Sequence, residues 1–415
     1  MREDLQSKLQ LAANWTLVSV FLFFPVVFAL GNVLIALALV LSLLAGNYRA
    51  RWDAIKGVPV VWWALGLYAM VLLGVTYSPA PSADVQLHLS KYSKLLWIPV
   101  LLSLLPEAQW RRRCLWAFMA AMGFIMLSAF ANVFWQLPWS RTQEIGWGKD
   151  HTVIGDYITQ NIMMTFFVVA AMDLGRRTQS LWQRYAWWIA ALMGAVVVTQ
   201  LSQGRTGYVL LILSVGTYIF WSLQGRRRWL TLLSLSAVLV VALASSQTVR
   251  QRIDLAITEA AASDTMEITS IGGRVNFWKH TWTLVTEKPL QGWGTGSYHS
   301  VWCEYVTQPG WCQFGSWHPH NQYLFFWMEN GLLGLVLFVL LATATIWAAR
   351  KAPVKDRAIL WAFAAILAGN SLINSPLFSG RESHFFVLML ILLCAQAKFG
   401  PQEKAEQPEG AAAGS

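Results

Sequence analysis

The sequence predicts an all-α, polytopic membrane protein with about 12 transmembrane helices and one long polar loop containing amphipathic helices. Three observations carry that expectation. Hydrophobic residues make up 56% of the chain and charged residues only 13%, with a mean hydropathy of +0.45, which a soluble core could not hide. Apolar runs long enough to cross a bilayer recur along the whole length. The 24 Trp residues suit membrane–water boundaries, where the indole body lies in lipid and its N–H among headgroups.

Taken in order, Met1 to Gln10 is short and mixed in charge, so no cleaved leader is expected. Candidate spans follow near 14–30, 32–46, 58–76, 90–105, 114–134, 157–174, 186–201, 207–223 and 229–246. The first two are short and share a Gly31-Asn32 turn, which suggests a tilted or re-entrant pair. Three further spans lie near 321–347, 358–375 and 383–397. This divides the chain into an N-terminal bundle (1–246), a long loop (247–320), a C-terminal helical part (321–399) and a Pro/Glu/Ala/Gly-rich tail (400–415) expected to be disordered.

Basic residues orient the spans. With the N-terminus in the cytoplasm, the inner segments hold 20 of the 31 Lys and Arg residues, counted from Arg2 and Lys8 through to Lys398 and Lys404. That places both termini in the cytoplasm and residues 247–320 outside. The formal net charge of +10 is therefore read as a topology signal. Nucleic acid is not an expected partner, because the charge alternates with spans and forms no stripe between aromatic platforms; membrane lipids are.

The long loop and its borders concentrate the candidate residues. Cys303 and Cys312, with eight residues between them around Gln308-Pro309-Gly310, suit a disulfide in an oxidising compartment; a metal site with a histidine is the rival. Cys114 and Cys394 should stay free. Arg205, in the turn Ser202-Gln203-Gly204-Arg205-Thr206-Gly207, sits at the outer boundary, where it could bind a substrate phosphate or simply anchor to lipid headgroups. Arg274 follows Gly272-Gly273, and Val275, Trp278, Trp282 and Val285 then form an apolar stripe that should lie against the membrane interface. Pro289 ends that helix. The Gly292-Trp293-Gly294-Thr295-Gly296 run reads as a close-approach loop with a weak phosphate-binding signal. His318 and His320 flank Pro319, off any regular helix, with Asn321 able to cap the next span. A histidine there could serve as general base, as a metal ligand or as a hydrogen-bonded interfacial residue; no third ligand at familiar spacing is evident. Glu329 lies about 13 Å into the tenth span, where a carboxylate needs a partner or water.

These residues together carry a resemblance. The Ser-Gln-Gly-Arg-Thr-Gly turn, the Gly-Gly-Arg and Trp helix ending in Glu287-Lys288-Pro289-Leu290-Gln291-Gly292-Trp293-Gly294, the His320-Asn321-Gln322-Tyr323-Leu324 run and Glu329-Asn330-Gly331-Leu332-Leu333-Gly334 resemble the O-antigen ligase and polymerase superfamily. The motifs cover roughly residues 200 to 334. Within the superfamily, size and the lack of a C-terminal soluble domain are most similar to the lipopolysaccharide O-antigen ligases. The first half adds only Lys91 and Lys94 at an outer helix start, Lys94 being taken as a further candidate, and Gln160-Asn161.

The resemblance implies a Gram-negative inner-membrane glycosyltransferase with its active site in the periplasm. The donor would be a glycan on undecaprenyl pyrophosphate and the acceptor a sugar hydroxyl of the lipid A–core. His320 would then be the catalytic base, with His318, Lys94, Asn321 and Glu329 as lesser candidates, and Arg205 and Arg274 would hold the pyrophosphate. No cofactor or metal is expected, since the outer loop offers no carboxylate pair arranged to hold an ion, and the transfer should invert the anomeric centre. An O-antigen polymerase, a protein O-oligosaccharyltransferase and a secondary transporter are the alternatives. Against the last stands the lack of an internal repeat or of charges clustered at mid-membrane.

Overall fold

The computed structural model describes residues 2–245, 258, 270–306, 310–315 and 317–400, and among these residues the chain is helical with no strand. Lipid offers no hydrogen bonds, so each spanning segment must satisfy its own backbone, and a helix does so locally. The expected disordered tail beyond Gly400, the first part of the long loop and the Gln308-Pro309 turn lie outside the described residues.

Helices α1 (Arg2–Phe23) and α2 (Phe28–Leu44) pack as a hairpin. The chain reverses at Phe24 to Val27, around Pro25, which has no N–H to continue α1. The turn expected at Gly31-Asn32 is therefore misplaced: both residues are helical, inside α2. Gly31 has a packing reason instead, because a Cβ there would stand 2.7 Å from the Phe24 Cα. At left-handed Asn47 the chain bends by 114° into α3 (Tyr48–Ile55), and Pro59 opens α4 (Pro59–Val75). The span expected at 90–105 is broken into the end of α5 (Ser82–Tyr92), a 3-10 turn (Ser93–Leu96) and α6 (Trp97–Leu102).

The remaining scaffold is α7 (Ala108–Asn132), α8 (Tyr157–Arg177), α9 (Leu181–Gln200), α10 (Arg205–Ser222) and α11 (Gly225–Ser245). After the long loop come α15 (Gln322–Ala342), short α16 (Ala344–Ala349), α17 (Val354–Ile373) and α18 (Gly380–Phe399). Among the described residues, five helices are long and apolar enough to cross a membrane, or six if α2 and α3 make one bent span. The apolar windows of α8 and α18 are 89% and 83% buried, against 50% for α7 and α15. Helices α8 and α18 are thus sheathed by protein, while α7 and α15 keep an outward apolar face suited to lipid. Phe118, Phe166, Phe363 and Phe385, from α7, α8, α17 and α18, fill the centre with ring centroids 5.7–6.1 Å apart.

The loop contributes α12 (Ser270–Glu287), α13 (Tyr298–Tyr305) and α14 (Trp311–Gly315). Helix α12 buries Phe277, Thr281, Leu284 and Val285, whereas Trp282 is 51% exposed. Of the apolar stripe Val275, Trp278, Trp282 and Val285, Val285 packs on protein while Trp282 points outward, so the stripe and the face packed on protein only partly coincide. Phe277 and Thr281 turn toward protein because α13, α14 and α15 dock on that side.

The docking exploits a break in α15. Gly331 adopts φ 66° and ψ −167°, conformations only glycine takes readily, and the preceding helical carbonyls lose their intrahelical partners. The Gly-rich loop replaces them: Trp293 N–H donates to Met328 O at 2.8 Å and Gly294 N–H to Glu329 O at 2.8 Å. Leu332 N–H returns a bond to Pro289 O at 3.0 Å.

Candidate active site

The site forms where α12, the start of α10 and the segment before α15 meet. Asn321 caps α15, its Oδ1 accepting from Leu324 N–H at 3.0 Å, and so fixes where helix begins. One residue earlier, His320 takes a left-handed backbone conformation with φ 50°. A side chain there is strained, and such strain persists only where the surroundings impose it. Those surroundings are visible. Phe277 stacks on the His320 ring at 5.7 Å and 17°, and Trp278 Nε1–H reaches His320 O at 3.3 Å. His320 N–H donates to His318 Nδ1 at 3.2 Å, which leaves the neutral His318 ring its proton on Nε2.

Arg274 lies one turn before Phe277 and Trp278 on α12, and this brings its guanidinium to the histidines. Burial lowers its pKa; the Tyr157 hydroxyl at the start of α8 opposes that, and the charge of Arg205 adds to it. Arg205 is the first residue of α10, so its place is a helix N-terminus rather than a free turn. Two like charges are therefore held together, an arrangement that costs folding energy and suits an anionic ligand. Arg274 Nε and His320 Nδ1 are both buried and make no hydrogen bond among the described residues. Buried polar atoms are normally bonded, so these two, like other unbonded buried atoms of the fold such as Asn161 Oδ1 and Arg381 Nε, are positions that a bound group or water would satisfy.

The electrostatics favour neutral imidazoles. Burial first, then Arg274, pushes His320 down to about 4, while a side-chain hydrogen bond with Asn374 acts the other way. His318 is held well below the ordinary range by burial, then by His320, Arg274 and Lys91. Both rings are thus neutral at neutral pH, and His318 already gives its Nδ1 lone pair to the His320 N–H.

Other candidates fall elsewhere. Lys94 is buried against Ser383, with Nζ to Oγ at 2.5 Å, on the His384 side of the fold. Lys91, one turn earlier, is the lysine whose charge reaches His318, and its ammonium sits 5.5 Å over the Phe378 ring. Glu329 is also away from the pair. Its carboxylate accepts from Gly296 N–H at 3.2 Å and Tyr298 N–H at 3.3 Å, and lies 3.1 Å from His88 Nδ1. It locks the Gly-rich loop to α15. That loop spends its amides on Met328, Glu329 and Gly74, so in this conformation it is no phosphate cradle.

Cys303 and Cys312 are joined in a disulfide, which takes both thiolates out of any metal site, and Cys114 and Cys394 are buried free thiols. The bridge ties α13 to α14, and Trp302 and Trp311, one from each, pack on Phe277 at 5.6 and 5.9 Å. A brace thus runs from the disulfide through two tryptophans to the ring that stacks on His320. Among the described residues, no three His, Cys, Asp or Glu side chains gather as metal ligands would. Sequence reasoning passed over Tyr157 and Asn374 and gave Lys91 no role. Each is an ordinary polar residue whose importance comes from tertiary proximity, and no local pattern signals it.

Comparison with known proteins bears on the same region. Residues 188–339 match the family model described as O-antigen ligase, a range that contains Arg205, Arg274, His318 and His320. The chain is also 25% identical over 167 residues to an uncharacterized protein of Haemophilus influenzae (strain ATCC 51907 / DSM 11121 / KW20 / Rd). That alignment covers 38% of this chain and 41% of the relative, so it spans well under half of either. The apolar helices and the O-antigen ligase match over residues 188–339 support the O-antigen ligase and polymerase superfamily as what this membrane protein is similar to.

Proposed function

We propose that this protein transfers an O-antigen glycan from undecaprenyl pyrophosphate to a sugar hydroxyl of the lipid A–core, on the periplasmic face of the bacterial inner membrane. The observation that carries the reading is the convergence of Arg205, Arg274 and His320, from three distant segments, with the inner nitrogens of Arg274 and His320 left unbonded. Both termini and the short basic loops then face the cytoplasm, twelve spans cross the membrane, and residues 247–320 lie outside.

In this mechanism the planar guanidinium groups of Arg205 and Arg274 grip the donor pyrophosphate through paired N–H donors. The neutral His320 ring takes the proton of the acceptor hydroxyl as that oxygen attacks the anomeric carbon. The bond from that carbon to the pyrophosphate oxygen breaks, and undecaprenyl pyrophosphate leaves with its charge held by the arginines. Attack opposite the leaving group inverts the centre. Binding of the donor also tunes the base. Burial is the main cause of the low His320 value and Arg274 the second, so an anion beside Arg274 offsets that second part and makes the imidazole a stronger base when substrate is present.

The test is reconstitution. Purified protein in liposomes receives lipid-linked glycan with either lipid A–core or a second lipid-linked glycan as acceptor. Glycosylated lipid A–core that persists with chelator present is the expected product. Chain extension on the lipid-linked acceptor alone would make the protein a polymerase, and loss of activity with chelator would end the metal-independent mechanism.

A further inference from the structure

We propose that Asn161 is the positioning residue for Arg205: its carboxamide, wedged between α8 and the head of α10, sets where the guanidinium stands and thereby how tightly the anionic end of the donor is held. The proposal rests on the reading of Arg205 as a phosphate-binding group.

An arginine side chain has several free torsions, so its place is decided first by the backbone that carries it. Arg205 is the first residue of α10 and is exposed. The residue before it, Gly204, stands at the N-cap with no side chain to hold the helix end. Asn161 supplies the hold from outside. Its Nδ2 donates to Gly204 O at 3.4 Å, an oxygen that also accepts from Gly207 N–H at 3.0 Å in the first turn of α10.

The fit around the amide is tight on both sides of Arg205. A Cβ at Gly204 would stand 2.6 Å from Asn161 Nδ2 and 3.1 Å from Tyr157 Cδ2. A Cβ at Gly207 would stand 2.8 Å from Asn161 Cβ and Nδ2 alike. Gly204 has φ −73°, which any residue adopts, so glycine is required there for close approach rather than for backbone freedom. The Ser202-Gln203-Gly204-Arg205-Thr206-Gly207 turn thus has a physical logic, in which two glycines admit one amide and the arginine lies between them.

Helix α8 is a firm base for this contact. Its apolar window is 89% buried, and Asp156 Oδ1 caps it by accepting from Thr159 N–H at 2.8 Å. Gln160 Oε1 accepts from Val153 N–H at 2.8 Å and Ile154 N–H at 3.3 Å, so the chain entering α8 is held as well. In the turn itself, His151 N–H donates to Leu201 O at 2.9 Å and the Tyr208 hydroxyl to Ser202 O at 3.4 Å. These bonds fix the upstream half of the turn, and Asn161 fixes the half that carries Arg205.

A mere filler between α8 and α10 would be a different residue. Asn161 is 0% exposed, and its Oδ1 is buried without a hydrogen bond among the described residues. Burying an amide with one end unsatisfied is unfavourable, and an apolar side chain of like volume would avoid that penalty. What the amide adds is the N–H that grips the Gly204 carbonyl.

The test measures binding of undecaprenyl pyrophosphate to full-length protein in lipid nanodiscs, together with the melting temperature of the ligand-free protein. Asn161→Leu keeps the bulk and removes the N–H. It is expected to weaken binding about tenfold, the worth of one charge-assisted hydrogen bond. In an Arg205→Ala background the same substitution should weaken binding no further, while its effect on melting temperature persists; a purely structural contact would act on binding in both backgrounds alike. Gly204→Ala, which keeps Asn161 and pushes the turn away from it, should reproduce the loss, and it carries the test if Asn161→Leu fails to insert. Wild-type binding in either variant, or losses that multiply with that of Arg205→Ala, would overturn the positioning role while Arg205→Ala itself binds weakly. Wild-type binding in Arg205→Ala would instead remove the phosphate-binding reading, and the proposal with it.

Discussion

Two arginine clusters stand at opposite ends of α10, and they are built in opposite ways. At one end, Arg176 and Arg177 of α8 pair with Asp173 at 3.1 and 2.6 Å, and Arg177 also pairs with Asp356 of α17. Tyr218 of α10 joins the group by donating to Asp173 at 3.0 Å. At the other end, Arg205 stands beside Arg274 and two neutral histidines. Thirteen residues of helix, about 20 Å, separate Arg205 from Tyr218. The first cluster matches each charge with its opposite and fastens three helices. The second brings the guanidinium of Arg274 near that of Arg205 and leaves Arg274 Nε and His320 Nδ1 unbonded among the described residues, an arrangement that suits an anion.

The largest expected effect breaks this comparison at its sharpest point. General-base catalysis contributes about 10²–10⁴-fold, so His320→Ala should lose that much ligation while donor binding and expression persist. His318→Ala should cost less, since His318 acts on His320 through a backbone bond. A dead His318→Ala beside an active His320→Ala would reverse the assignment. The pH profile gives a second readout. A base must be deprotonated, so kcat/KM of the free protein should stay high until pH falls toward about 4, below the usual histidine value of about 6.5. The limb in kcat should lie higher, because the bound pyrophosphate offsets Arg274. Coincident limbs would remove the proposed coupling between donor and base.

The next effect separates the clusters directly. Lysine keeps the charge of arginine and loses its planar fork, so Arg274→Lys and Arg205→Lys should each cut transfer about 10–100-fold, the worth of a charge-assisted hydrogen bond or two. At the paired end, Arg177→Ala should lower the melting temperature and leave kcat unchanged, because it strands Asp356 and leaves Asp173 only Arg176 and Tyr218, far from the chemistry. Full activity in both lysine variants would make the two clusters alike, as mere anchors.

How far the sequence discloses this difference depends on what kind of signal each feature leaves. Arg205, Arg274 and His320 are singled out by the motifs that resemble the superfamily, since by residue type alone a boundary arginine reads as a lipid anchor and a loop histidine as an interfacial hydrogen-bonding group. The helical membrane class is legible from hydropathy alone. The buried face of α12 is not, since lipid and protein interior are equally apolar to a hydropathy count, and Trp282 and Phe277 look the same in sequence. Asn374 leaves no trace either, because nothing local distinguishes an amide buried against a carboxyl group from one that faces water. The break of the span at 90–105 was hidden for a related reason: apolar composition records where a chain can cross, not whether its helix is continuous.

The smallest effect concerns the brace that gives the second cluster its shape. Closing a loop as short as that between Cys303 and Cys312 removes little entropy from the unfolded chain, so the bridge contributes about 2–3 kcal/mol at most. Its effect on rate should be smaller than that of any arginine, because it reaches His320 only through Trp302, Trp311 and Phe277. Cys303→Ser with Cys312→Ser should therefore lower the melting temperature and reduce ligation only a few-fold, about 1 kcal/mol or less of lost positioning. Phe277→Leu provides the sharper variant, since it keeps the disulfide and an apolar side chain yet removes the ring that stacks on His320. If the brace works through that ring, Phe277→Leu should slow transfer more than the double serine variant while unfolding at a higher temperature than it does. The opposite ranking in rate would mean that the disulfide holds some other part of the loop, and that the left-handed His320 is kept in place by Asn321 and Trp278 alone.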